Sequence, residues 1–184
     1  MVREELPEAA APTPSGVDQV TNKEPAVFRV LMVCTGNICR SPTAHGVLEK
    51  MVADAGLQDL VQVDSAGTQG YHVGEAPDAR SQQHAKLRGY DLSRQRARQL
   101  RAQDFEDFDL LLVMDESNEI AARKIGSPAQ QQRMKRLTDY CQRFDEREVP
   151  DPYYGGESGF ERVLDLVEDA CRNLLQTIAQ NRQT

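Results

Sequence analysis

The chain alternates short apolar runs with longer stretches whose apolar positions recur at helical spacing. Residues 27–33 (Val-Phe-Arg-Val-Leu-Met-Val) are apolar and β-branched, the pattern of a strand buried on both faces of a parallel sheet. This run leads directly into Cys34-Thr-Gly-Asn-Ile-Cys-Arg-Ser41. Pro42 stands where the first turn of a helix tolerates proline, and Val47, Leu48, Met51 and Val52 give that helix an apolar stripe up to Gly56. The opening unit is therefore strand, loop, helix. A short strand is expected over 61–64, an exposed Gly-rich loop over 65–77, and a helix over about 78–88 that stops at Gly89. Residues 108–114 read as another buried strand, with a helix starting near Asp115, and 134–137 as a weaker strand. A polar loop with Asp151-Pro-Tyr-Tyr-Gly-Gly156 follows. The last helix is the most regular: Phe160, Val163, Leu164, Val167, Cys171, Leu174, Leu175 and Ile178 fall on one face.

Strands alternating with helices imply a three-layer α/β/α fold around a central four-stranded parallel sheet. In such folds ligands bind at the carboxyl ends of the strands, which is where Cys34 falls. Residues 1–26 differ in composition. They hold four of the nine prolines, Pro7, Pro12, Pro14 and Pro25, with Ala, Glu and Thr between them. Such a stretch buries too little apolar surface to order itself, so 1–26 reads as a flexible tail and 27–181 as a single domain.

The net charge of −7 argues against a nucleic-acid surface, which needs a basic face, but not against a small anion site. No apolar run is long enough to span a membrane. The acidic start lacks the apolar core of a secretory signal, so a cytoplasmic chain with reduced cysteines is expected. Neither the four cysteines (Cys34, Cys39, Cys141, Cys171) nor the three histidines (His45, His72, His84) show zinc-site spacing, and no metal or cofactor is expected.

Cys34 and Arg40, with five residues between them, suggest a specific chemistry. A loop between strand and helix can turn its backbone N–H groups inward as a nest for an anion, and the helix adds its positive end. Gly36 permits a backbone conformation other residues resist. The planar fork of Arg40 can hold two phosphoryl oxygens at once. Cys34 would lie at the floor of this cradle, where the same field favours its thiolate, the form placed for in-line attack on phosphorus. Cysteine and arginine at this spacing also occur by chance. Here, however, the pair lies between a buried strand and a helix, with Gly36 and Asn37 inside and Ser41-Pro42 behind.

The segment Val33-Cys-Thr-Gly-Asn-Ile-Cys-Arg-Ser-Pro42 resembles the phosphate loop of the low-molecular-weight protein tyrosine phosphatases. The resemblance continues at Asp64-Ser-Ala-Gly67, Met114-Asp-Glu-Ser-Asn118 and Asp151-Pro-Tyr-Tyr-Gly155, and spans about 27–180. It implies hydrolysis of phosphotyrosine in proteins through a phosphocysteine intermediate. Cys34 would be the nucleophile and Arg40 the phosphate-binding and transition-state-stabilising group. Asp151 would be the general acid for the leaving phenolate and then the base for water, although Asp before Pro is more commonly a turn residue. The loop residues Thr35, Gly36, Asn37, Ile38, Cys39 and Ser41 would surround the phosphate, with Ser41 donating to the sulfur and Asn37 and Ser65 bracing the loop. Tyr71, Tyr153 and Tyr154 would wall the cleft. Cys39 resembles the second cysteine that can form a reversible disulfide with Cys34; a small buried hydrophobe is the equal alternative. Cys141 and Cys171 read as core cysteines. The implied partner is a tyrosine-phosphorylated protein, with a bacterial tyrosine kinase among the candidates, and phosphate and other oxyanions as inhibitors.

Two positions depart from the pattern. His45 stands where glutamate is frequent, and Arg88 stands where animal members carry a loop-supporting histidine; Asp115 matches but is given no bracing role. Other uses of the fold are arsenate reduction, which needs two further closely spaced cysteines, and protein-arginine phosphatase activity, which goes with threonine where this chain has Ile38. A non-catalytic phosphoprotein-binding module is the alternative of a different class; capture alone needs neither a nucleophile nor an acid.

Overall fold

The computed structural model describes residues 6–7, 26–153 and 155–182. The strand β1 (Phe28–Cys34) comes first, followed by helix α1 (Arg40–Asp54), β2 (Val61–Gly67), α2 (Ala79–Leu87), the short α3 (Asp104–Asp107), β3 (Leu110–Val113), α4 (Glu116–Arg123), β4 (Met134–Arg136) and α5 (Glu157–Arg182). Two 3-10 turns, Gln130–Arg133 and Leu137–Tyr140, flank β4. The four strands form one parallel sheet in the order β2-β1-β3-β4.

The unbroken apolar run of β1 has a direct structural cause. Alternate side chains point to opposite faces of a strand, and both faces of β1 are covered. Phe28, Val30, Met32 and Cys34 face one core, shared with Val47, Leu48 and Val52 of α1 and Val163, Val167, Cys171 and Leu174 of α5. Leu31 and Val33 face a second core, shared with Phe105, Leu111, Val113 and Ala122. Cys171 is buried in the first core and Cys141 packs, half-buried, at its margin.

Several features differ from the sequence expectation, and β3 covers 110–113 rather than 108–114. β2 runs three residues further than 61–64, because Ser65, Ala66 and Gly67 continue the pairing opposite Met32, Val33 and Cys34. Helix α1 begins at Arg40, so Pro42 is its third residue; its missing N–H still falls among the four that lack an intrahelical acceptor. The short α3 and the 3-10 turns went unforeseen, since four residues are too few to show a period. Of the expected 1–26 tail, residues 1–5 and 8–25 lie outside the described residues, while Leu6 packs against the first core.

Candidate active site

Cys34 ends the central strand β1, and residues 35–39 turn the chain into α1. Three carbonyls of this turn are taken from outside: Cys34 O by Thr68 N at 2.9 Å, Thr35 O by Gln69 N at 2.9 Å and Ile38 O by Asp78 N at 2.8 Å. In a trans peptide the next N–H points opposite to the carbonyl. The N–H groups of Thr35, Gly36 and Cys39 are therefore turned away from those partners.

Asn37 holds the turn. It has φ 57, and it is the one non-glycine among the described residues with a positive φ. Asn adopts this left-handed conformation more readily than most residues, yet it still has a cost. The Asn37 side chain is fully engaged: Nδ2 donates to Ser41 Oγ (2.8 Å) and to Ser65 Oγ (3.0 Å), and Oδ1 accepts from Arg98 N (3.0 Å). Gly67, opposite on β2, leaves room for the turn; a Cβ there would lie 2.6 Å from Thr35 O and 3.0 Å from Asn37 N.

The Cys34 sulfur is buried and lies 3.0 Å from Ser41 Oγ. Arg40 is equally buried. Its Nη1 donates to Asp115 Oδ2 at 2.6 Å and to Val149 O at 3.0 Å, and Nη2 reaches Thr35 Oγ1 at 3.4 Å. Burial opposes the Arg40 charge, but Cys34, Asp115 and Asp151 outweigh it and raise the guanidinium pKa above its ordinary value. Asn118 Nδ2 donates to Thr35 Oγ1 at 2.9 Å and fixes that side chain.

Asp151 enters from the loop before α5. Its Oδ2 lies 3.6 Å from Arg40 Nη2, its Oδ1 accepts from Tyr153 N at 3.0 Å, and its side chain is 47% exposed. A carboxylate is thus placed at the mouth and a thiol at the floor, with the guanidinium between them. Tyr153 is partly exposed, with the Arg80 guanidinium 5.6 Å from its ring, and Tyr71 is 78% exposed on the neighbouring loop. Tyr154 lies outside the described residues. Ile38 and Cys39 turn away into a small apolar cluster with Ala97 and Phe160. Burial pushes the Cys39 thiol up to about 12, against an opposing hydrogen bond with Ser81.

Both departures from the sequence pattern take unexpected places. Arg88 does not touch the loop; it pairs with Glu161, Asp165 and Glu168 on α5. His45 does reach the bracing residues, with Nδ1 3.2 Å from Ser65 Oγ. Gln95 approaches the same hydroxyl with Oε1 at 3.5 Å. Gln95, Asn118 and the Asp115–Arg40 pair were not assigned from sequence. Asp115 and Asn118 lay within a recognised block, whereas Gln95 carried no signal.

No group of three or more His, Cys, Asp or Glu among the described residues is arranged to hold a metal ion, and no helix is long and apolar enough to cross a membrane.

A buried thiol at the carboxyl end of a central strand, in a loop whose carbonyls are bonded from outside and beside a buried guanidinium, defines a three-layer α/β protein with a cysteine–arginine loop between its first strand and first helix. Comparisons with known proteins identify which one. The family model for low molecular weight phosphotyrosine protein phosphatase matches residues 29–184. A putative low molecular weight protein-tyrosine-phosphatase of Synechocystis is 48% identical over 157 residues, 83% of this chain and 98% of the relative. The human low molecular weight phosphotyrosine protein phosphatase is 40% identical, over 83% of this chain and 97% of its own length. The crystal structure of a protein tyrosine phosphatase from Entamoeba histolytica superposes with TM-score 0.81 at 39% identity, covering 84% of this chain and 98% of that one. The chain belongs to the low molecular weight phosphotyrosine protein phosphatase family, a family of hydrolases.

Proposed function

We propose that this enzyme hydrolyses phosphotyrosine in proteins in two steps, with Cys34 as nucleophile, Arg40 as phosphate clamp and Asp151 as general acid and base. The observation that carries the reading is the approach of Cys34 and Asp151 to one buried guanidinium, Arg40, whose Nη2 lies 3.6 Å from Asp151 Oδ2. In the first step the Cys34 thiolate attacks phosphorus, the P–O bond to tyrosine breaks, and the Asp151 carboxyl gives its proton to the departing phenolate oxygen. In the second, Asp151 takes a proton from water as that water attacks the phosphocysteine, releasing phosphate and the Cys34 thiolate. The nest N–H groups and Arg40 neutralise the equatorial oxygens, whose charge builds in the transition state. The N–H nest also suits phosphate and other tetrahedral oxyanions as inhibitors. Tyr153, two residues from Asp151 and partly exposed, suits an aromatic ester on a protein surface. The partner is accordingly a tyrosine-phosphorylated protein, a class that includes bacterial tyrosine kinases.

Cys39 stays a thiol at neutral pH, because its pKa is pushed up to about 12. It does not compete with Cys34 as a nucleophile.

The test is turnover of matched phosphotyrosine, phosphoserine and phosphoarginine peptides, each in a strong chelator. Turnover of the phosphotyrosine peptide alone, undiminished by chelation, is expected. Preference for phosphoarginine would replace the substrate assignment, and loss in chelator would overturn the metal-free mechanism.

A further inference from the structure

Helix α1 carries one histidine, His45, in its second turn, and its side chain is largely buried at 13% exposure. The ring bridges two partners. Nδ1 lies 3.2 Å from Ser65 Oγ on β2, and Nε2 lies 3.1 Å from Glu49 Oε2, one helical turn on. Ser65 Oγ accepts from Asn37 Nδ2 at 3.0 Å, and the same amide donates at 2.8 Å to Ser41 Oγ, which lies 3.0 Å from the Cys34 sulfur. A continuous hydrogen-bonded chain therefore runs from the exposed Glu49 carboxylate through His45, Ser65, Asn37 and Ser41 to the sulfur.

Counting hydrogens orients this chain. The Asn37 amide has two, one for Ser41 and one for Ser65. The Ser65 hydroxyl has one hydrogen, and two groups face it: Gln95 Oε1 at 3.5 Å, to which it donates, and His45 Nδ1 at 3.2 Å. Gln95 is turned by its own Nε2, which donates to Pro42 O at 2.9 Å. The Glu49 carboxylate holds Nε2 of His45 and so keeps the ring turned with Nδ1 toward Ser65. The Glu49 carboxyl is held below its ordinary pKa, first by this hydrogen bond, consistent with its standing as the charged acceptor.

We propose that His45 is a positioning residue for the phosphoryl chemistry: through its hydrogen bond to the Ser65 hydroxyl it holds Asn37 in its left-handed conformation, and through Asn37 it holds Ser41 on the nucleophilic sulfur. The inference rests on the reading of Cys34 as nucleophile. Helix α1, which follows the loop directly, thus also braces it from behind. Residues that pack the loop but lie off this chain do not share the role.

The experiment compares His45→Asn, His45→Gln and His45→Leu, each alone, with His45→Leu also placed in a Ser65→Ala background. Asparagine places a polar atom where Nδ1 lies; glutamine reaches only the Nε2 position, and leucine reaches neither. Turnover of an aryl phosphate and the rate of Cys34 alkylation by iodoacetate are measured for each, with thermal unfolding alongside. The Gln and Leu variants are expected to lose about 10- to 100-fold in kcat, with the Asn variant within about threefold of the parent. The Leu substitution should cost nothing further once Ser65 is alanine. Parent-like kcat in the Leu variant, an Asn variant as poor as Leu, or additive losses in the double variant would each overturn the proposal. So would losses that follow the thermal midpoint rather than the chemistry of the side chain. A parent enzyme without turnover would instead overturn the phosphatase reading, and the alkylation rates would still decide the role of His45.

Discussion

The Ser41 hydroxyl lies 3.0 Å from the Cys34 sulfur while accepting an N–H from Asn37 at 2.8 Å. Asn37 fills one lone pair of Ser41, and the hydroxyl hydrogen faces two acceptors, the sulfur at 3.0 Å and Ala66 O at 3.5 Å, of which a charged sulfur is the nearer and the stronger. In the proposed reaction a thiolate is both the attacking group and the group released as water attacks, so this donor would stabilise it at both ends. A hydrogen bond to a charged group contributes about 1.5–3 kcal/mol. Ser41→Ala is therefore expected to lower kcat by about 10- to 100-fold, with KM changed little. Steady-state and single-turnover kinetics on an aryl phosphate check this, and an unchanged kcat would remove Ser41 from the mechanism.

Asp151 lies at the solvent-exposed end of the cleft, within 3.6 Å of Arg40. An acid there matters in proportion to how poor the leaving group is, and a positioned acid contributes about 10²–10⁴-fold. Asp151→Asn should slow turnover of phosphotyrosine by about that factor and of a nitrophenyl phosphate much less. Equal losses on the two substrates would assign Asp151 to the turn that its Asp-Pro sequence also suits.

Gly67 is a second point of control, because the loop backbone passes against it. A methyl group there would lie 2.6 Å from Thr35 O. The alanine variant is expected to fold, since overpacking of this kind costs about 1–3 kcal/mol. It should lose at least about tenfold in phosphate affinity as the nest is displaced. Titration with phosphate, read by protection of Cys34 from alkylation, measures this directly. Parent-like protection would show that the loop tolerates the displacement.

These two residues show how far the sequence could be read. Cys34 and Arg40 are separated by a few residues, and the strand before them and the helix after them announce themselves by apolar pattern, so the cradle was legible locally. Asp151, more than a hundred residues away, was legible only through its resemblance to a known block. The bracing was not legible. Whether His45 or Arg88 meets the loop depends on which helix face turns toward β2 and which toward α5, and periodicity places a stripe without naming the polar group it meets. Gln95 lies in a segment with no regular period at all, so no pattern marked it.

Arg88 belongs to stability rather than chemistry. It is clamped between Glu161, Asp165 and Glu168 of α5 and ties α2 to that helix. Partial burial opposes its charge, but these carboxylates outweigh it and raise its pKa. Glu161 is lowered in turn, first by His84 and then by Arg88. A carboxyl whose folded pKa is depressed adds stability above its ordinary value near 4.3 and loses it as pH falls through the folded one. Arg88→Leu should lower stability by about 1–2 kcal/mol at neutral pH, with kcat/KM within about twofold of the parent. The gap between parent and variant should close as the pH is taken below about 4. Denaturant titrations at several pH values test this, and a gap that widened in acid would reverse the assigned sign.

The central claim is that phosphate passes through the sulfur of Cys34. Acid quench of the Asp151→Asn enzyme during turnover of an aryl phosphate, followed by peptide mass spectrometry, tests it most directly. The account predicts one phosphoryl group on the peptide that contains Cys34, absent when Cys34 is serine. Turnover at the parent rate by that serine variant, or a phosphoryl group on any other residue, would contradict it.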